Sequence, residues 1–313
     1  MRGNNGKLYY MLAILLAHLL WLGYALFSKE SGRGGTSTVF IAISSMVVQI
    51  ILGYLTFRKL LILDEKGSNL FLFLALLLYS SNTELMSGGG MYIYAAPLFI
   101  LSLIILLGAY HTDEGSITIA SSGLLFGFSV PLWPPVLYTL PLWFLFLYLL
   151  RSVTPRQIVA FLFGMFLSWW LALPLLFFSK ARAFLLEGWM RMSNWAFPSE
   201  AFNTYTLISH WIYPLILLSS LLWAISATHL TVRKEKVRIR SFFAILTVWP
   251  LYLLPFYLFL PKESAGMLYL SLLPSAVLLA KAIETVAKRY QAWIITSLCT
   301  VFIVLLVLQT FLG

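Results

Sequence analysis

Long apolar runs separated by short polar stretches set the pattern of this chain. Runs 8–27, 38–57, 91–110, 158–178, 211–227, 241–260, 265–286 and 291–312 come close to the roughly twenty apolar residues that a bilayer-spanning helix needs. Three further runs, 70–80, 117–130 and 136–150, are short. Together they predict an all-α, polytopic transmembrane helix bundle of about 10–11 helices, forming a single domain over residues 1–313. Residues 70–80 make only about 16 Å of helix at 1.5 Å per residue, half of a hydrocarbon core. Such a segment dips part-way, is extended by the polar stretch 81–90, or lies against protein rather than lipid. Runs 117–130 and 136–150 meet at Pro131-Leu132-Trp133-Pro134-Pro135, where three prolines force a sharp turn and leave a recess open to that side. Arg2 and Lys7 precede the first run, which is longer than a signal-peptide core and ends in a poor cleavage site, Ala25-Leu26-Phe27-Ser28. It reads as an uncleaved first span.

Composition agrees with this pattern. The chain is 61% hydrophobic and 10% charged, against about 45–50% and about 25% in soluble domains. A cytosolic enzyme, a secreted disulfide scaffold and a disordered tail are thereby excluded. The net charge of +10 resembles a nucleic-acid signal, but its distribution is topological. Fifteen of the 21 Lys and Arg residues fall in stretches 1–7, 58–69, 111–116, 151–157, 228–240 and 281–290, which alternation places on one side. The positive-inside rule makes that side, and the amino terminus, cytoplasmic. Arg233, Lys234, Lys236, Arg238 and Arg240 carry most of the asymmetry, and binding of anionic membrane lipid is their second reading. No nucleic-acid partner is expected. Cys299 stands alone, so no disulfide or cysteine-based metal site arises.

Chemistry is sparse inside the spans. His18 is the only titratable side chain well inside a clear span besides tyrosines and Cys299, which argues against an ion-coupled transporter. On the outer side, Glu30 and Glu84 sit in glycine-rich turns. Glycine lets backbone approach a ligand, and a carboxylate there can act as a general base; a solvated loop acid is the plainer alternative. The outer loop 179–210 forms an amphipathic pattern, with Lys180, Glu187, Arg191 and Asn194 opposite Leu185, Trp189, Met192 and Ala196. That pattern predicts a helix lying in the membrane interface. Lys180, Arg182 and Arg191 stand on the side the positive-inside rule disfavours, and either anchor the interface or hold a lipid-carrier phosphate. His210 either joins that site or anchors the next span. Gly123 and Gly127 form a GxxxG pair suited to close helix contact. His18, His111, His210 and His229 are too widely spaced to predict a metal site, and no cofactor is indicated.

The order Gly123-Leu-Leu-Phe-Gly127, proline turn, Pro141 and apolar run to Arg151, followed by a span with Gly164 and Pro174, resembles the GT-C superfamily of membrane glycosyltransferases. Residues 70–110 resemble the segment preceding that pattern. The whole chain also resembles a family of roughly 300-residue, functionally uncharacterised membrane proteins of Bacteroidetes. The superfamily resemblance implies sugar transfer from a polyprenyl-phosphate donor at the outer face of the bacterial inner (cytoplasmic) membrane. In such enzymes a first-loop carboxylate serves as base or metal ligand, a role that falls to Glu30, with Glu84 as the second acid. Lys180, Arg182, Arg191 and His210 would hold the carrier phosphate. The chain departs from that pattern in a first outer loop of ten residues, 28–37, without a paired Asp/Glu motif. The expected function is handling of a polyprenyl-linked sugar in envelope biogenesis. The alternative is a non-catalytic membrane subunit held to a protein partner; a flippase or transporter fits less well.

Overall fold

The computed structural model describes residues 36–60, 62–82, 85, 91–110, 115–174, 186, 207–259 and 264–312. Among these the protein is all-α, with ten α-helices: α1 (Thr36–Lys59), α2 (Glu65–Ser80), α3 (Tyr92–Gly108), α4 (Ser116–Leu132), α5 (Leu140–Leu149), α6 (Pro155–Ala172), α7 (Tyr213–Arg233), α8 (Val237–Phe259), α9 (Ser264–Thr285) and α10 (Lys288–Leu312). A 3-10 turn, Pro134–Thr139, precedes α5, and a π-helical turn, Leu207–Ile212, precedes α7. Val237–Leu258, Ala265–Thr285 and Lys288–Phe311 are long and apolar enough to cross a bilayer, marking a multi-pass membrane protein. The faces of α6 agree: Phe161, Gly164, Met165 and Ser168 are buried, while Val159, Phe163, Phe166 and Trp170 are exposed along the other side. A helix apolar on both faces suits lipid, not water. The expected first span, 8–27, and the amphipathic pattern through Lys180, Glu187, Arg191 and Asn194 lie outside the described residues.

The short runs resolve as helices finished by polar residues. The run 70–80 becomes the 16-residue α2 because Asp64 caps its amino end, Oδ1 accepting from the Gly67 N–H at 2.7 Å. At 1.5 Å per residue α2 is about 24 Å long. Its Leu70, Phe71, Leu74 and Leu78 are buried, so it lies against protein. Helix α4 continues through Pro131, and Trp133 then leaves helical geometry at φ −148°, ψ 88°. Pro134 and Pro135 open the 3-10 turn, where a missing N–H costs little. The Trp133 indole packs edge-on to Tyr92, centroids 6.2 Å apart, and covers Gly266 so closely that a Cβ there would collide with the ring.

The chain divides into two compact units. Met1–Gly89, Glu200–Lys234 and Ser271–Gly313 form the first; Gly90–Ser199 and Glu235–Leu270 form the second. In the second, α4 and α6 meet backbone to backbone. A Cβ on Gly123 would strike the Phe161 carbonyl, and one on Gly164 would strike that of Ala120. The GxxxG face is thus occupied by a helix of the same chain. Around it Phe99, Phe126, Trp143, Phe146, Phe161 and Trp249 form a fully buried aromatic core. Trp143 stacks on Phe161 at 5.6 Å and meets Phe126 edge-on at 5.3 Å.

Helix α5 ends in a Schellman turn, with N–H bonds from Arg151 to the Tyr148 carbonyl and from Ser152 to that of Leu147, both 3.0 Å. Arg151 occupies the left-handed position at φ 57°. Glycine is usual there, and a side chain costs about 1 kcal/mol.

In the first unit, α1 packs on α2 through Gly53, whose missing side chain admits Phe71, Phe57 and Leu273. A buried polar link crosses the same pair: Tyr79 Oη donates to Gln49 Oε1 at 3.1 Å, and Gln49 Nε2 donates to Ser45 Oγ at 3.2 Å.

Candidate functional site

The carboxyl end of α2 meets the amino end of α7 within the first unit. The last carbonyls of a helix lack intrahelical partners, and here side chains supply them. Leu78 O accepts from Ser81 Oγ at 2.8 Å and from Tyr213 Oη at 3.1 Å, while the two hydroxyls lie 2.9 Å apart. Tyr213 is fully buried and braced edge-on by Phe302 of α10 at 5.8 Å. Ser80, Ser81 and Asn82 are also buried. Asn82 Oδ1 accepts from the Leu85 N–H at 3.3 Å, turning the chain as it leaves the helix. Gln309, seven residues beyond Phe302 and so on the same face of α10, is buried as well.

This arrangement tethers two segments that carry sequence-predicted residues. Glu84 follows Asn82 by two positions in the chain, and Tyr213 directly follows the π-helical turn that contains His210. π-Helical turns recur at functional sites because the extra residue redirects neighbouring side chains. Glu30, Glu84, Lys180, Arg182 and Arg191 themselves lie outside the described residues, as does the side chain of His210. Sequence reasoning missed Ser81 and Tyr213. Their only signals were a Ser-Ser-Asn sequence closing an apolar run and a tyrosine opening another.

A second polar cluster occupies the other end of α2. Asp64 caps that helix through Gly67, and the carboxyl-terminal turn of α9 brings Glu284 against the same glycine. A Cβ on Gly67 would stand 2.7 Å from Glu284 Oε1, so a larger residue there would push the Glu284 side chain aside. Lys281, one turn back on α9, pairs with Glu284 at 3.0 Å. The neighbouring Glu284 carboxyl is the largest influence holding Asp64 below the ordinary carboxylate range; partial burial opposes it, and the Gly67 N–H and the charges of Lys281 and Lys66 assist. The Lys281 ammonium beside Glu284 offsets part of the negative charge gathered here. The sequence concealed this cluster because Glu284 falls inside the apolar run 265–286. Among the described residues, no group of three or more His, Cys, Asp or Glu side chains is placed to hold a metal ion.

Residues 9–312 match a family of unknown function, DUF6427, and the chain belongs to that family. No match was found among curated proteins or among solved structures.

Proposed function

We propose that this family member handles a polyprenyl-phosphate-linked sugar at the outer face of a bacterial inner membrane, in the manner of a GT-C glycosyltransferase. The observation supporting the reading is the Tyr213–Ser81 contact, which joins the residue three before Glu84 to the residue three after His210. A proline-turned pair of short helices, α4 and α5, supports it through the superfamily resemblance. In this reading Glu84 and Glu30 are the acidic groups that deprotonate the acceptor or hold a metal. Lys180, Arg182 and Arg191, with His210, hold the carrier phosphate by charge-assisted hydrogen bonds. The basic helix ends lie in the cytoplasm, as the positive-inside rule requires. A subunit role would need a docking face other than Gly123 and Gly127, which α6 already covers.

The test is sugar transfer from a polyprenyl-phosphate donor in membranes containing the protein. Glu84→Gln or Glu30→Gln is expected to abolish transfer at unchanged protein level; full transfer in both variants would remove the catalytic assignment. Native mass spectrometry adds a binding readout. A retained polyprenyl phosphate should be lost in the Arg182→Ala, Arg191→Ala double variant. A stoichiometric protein partner with no such lipid would favour the subunit role.

A further inference from the structure

At the end of the second unit away from the proline turn, three chain segments converge. Ser152 Oγ, just past α5, donates to Ala109 O, just past α3, at 2.8 Å. The next residue, Tyr110, meets Phe242 of α8 edge-on at 5.9 Å. The Arg238 guanidinium lies over both rings, 5.7 Å from the Tyr110 centroid and 5.4 Å from that of Phe242. Cation–π contact with two rings favours this position of the exposed guanidinium. Arg151 stands beside Ser152 in the left-handed position that favours glycine, so the chain holds a guanidinium here against the backbone preference. Arg156 follows in the first turn of α6, whose amino terminus, like that of α8, directs positive dipole toward this end. All three arginine side chains are exposed, and among the described residues none forms an ion pair. Glu235 precedes Arg238 by three residues, while Asp113 and Glu114 follow Tyr110 and lie outside the described residues.

Topogenic charge requires only that basic residues lie on one side. It requires neither a guanidinium laid over two aromatic rings nor an arginine in a glycine position. We infer that Arg151, Arg156 and Arg238 form a binding site for a phosphate group, presented by an anionic lipid headgroup or as a free ion. Arginine suits this ligand because its planar fork donates two parallel hydrogen bonds to phosphate oxygens. The site does not depend on the glycosyltransferase reading and involves none of its residues.

The experiment titrates the detergent-purified full chain with phosphatidylglycerol by native mass spectrometry, with and without competing millimolar inorganic phosphate. The Arg151→Gly, Arg238→Gln double variant is expected to bind the lipid at least about tenfold more weakly. Lys288→Gln with Arg289→Gln removes the same charge from the first unit and should change affinity by less than about twofold. Arg151→Gly alone should melt no lower than the parent, because glycine relieves the left-handed backbone; loss of binding is then not loss of fold. Displacement by inorganic phosphate would identify a site open to the free ion, and resistance to it a headgroup site. Equal losses in the two double variants would show diffuse surface charge and overturn the proposal, as would unchanged affinity in the first.

Discussion

The two units solve helix association by different means. The second relies chiefly on shape: glycines let α4 and α6 touch through their backbones, and six large rings fill the space beside them, with a buried bond, Ser102 Oγ to the Ser122 carbonyl, between α3 and α4. The first relies on buried polar bonds: Tyr79 to Gln49, Gln49 to Ser45, and Tyr213 with Ser81 at the end of α2. Lipid tails are as apolar as leucine, so helices gain little by excluding them; close van der Waals packing and interhelical hydrogen bonds are what remain. The difference follows from helix length. At about 24 Å, α2 ends inside protein, and its orphan carbonyls must find donors there. Polar side chains gather where a helix stops short, and in this chain that is also where the candidate site lies.

Breaking the packed unit should have the largest effect. Gly164→Leu places a branched side chain against the backbone of Ala120 and Leu124, which cannot yield as a flexible side chain would. The expected loss is about 3 kcal/mol or more, enough to remove most folded protein. Thermal melting and monodisperse recovery in detergent are the measurements. Gly108→Ala is the matched control: nothing lies within 4 Å of a Cβ there, and stability should change by less than about 1 kcal/mol. Similar losses in both would mean that α4 and α6 are not in backbone contact.

The polar unit should yield less. Tyr213→Phe keeps the ring against Phe302 but removes the hydroxyl shared by Ser81 Oγ and Leu78 O. Ser81 still donates to Leu78 O, so no carbonyl is left bare, and the expected cost is about 1 kcal/mol. The informative readout is paired. If the tether positions the Glu84 turn, sugar transfer should fall several-fold more than the melting change accounts for, and Ser81→Ala should reproduce the loss. A drop in melting temperature with full activity would reduce Tyr213 to a structural brace.

How far the sequence foretold this arrangement depended on whether the determinant was local. The proline turn and the tight crossing at Gly123 and Gly127 were legible because proline removes an N–H and glycine a Cβ wherever they stand. The partner on α6, Gly164, was noted only as part of a superfamily pattern; nothing local links it to Gly123. The true length of α2 was hidden because its first turn, Glu65-Lys66-Gly67-Ser68-Asn69, is polar and a hydropathy window excludes it. Tyr213 and Ser81 stand 132 positions apart, and neither is unusual in its own run. Glu284 lay in plain view within an apolar run, but only the fold brings Gly67 against it and so gives it a role.

That pair supplies the smallest and most specific test of the contrast, since a polar contact responds to pH where ring packing does not. The Asp64 carboxyl is held below its ordinary 3.8, chiefly by Glu284. A depressed carboxylate contributes stability that is fully present above its unfolded value and lost as pH falls through the folded one. This group should therefore give the melting temperature no pH dependence between neutral pH and about pH 4, and a steeper fall below that. Asp64→Asn keeps an N-cap acceptor and should leave the neutral-pH melt nearly unchanged while flattening the acid limb. Asp64→Ala removes the cap itself and should cost about 1 kcal/mol at neutral pH. An acid limb of unchanged steepness in Asp64→Asn would assign the acid sensitivity to other carboxyls and leave Asp64 as a helix cap alone. A flattened limb would show that the end of α2 against α9 depends on the charge of Asp64, a pH response that the glycine and aromatic contacts between α4 and α6 have no means to supply.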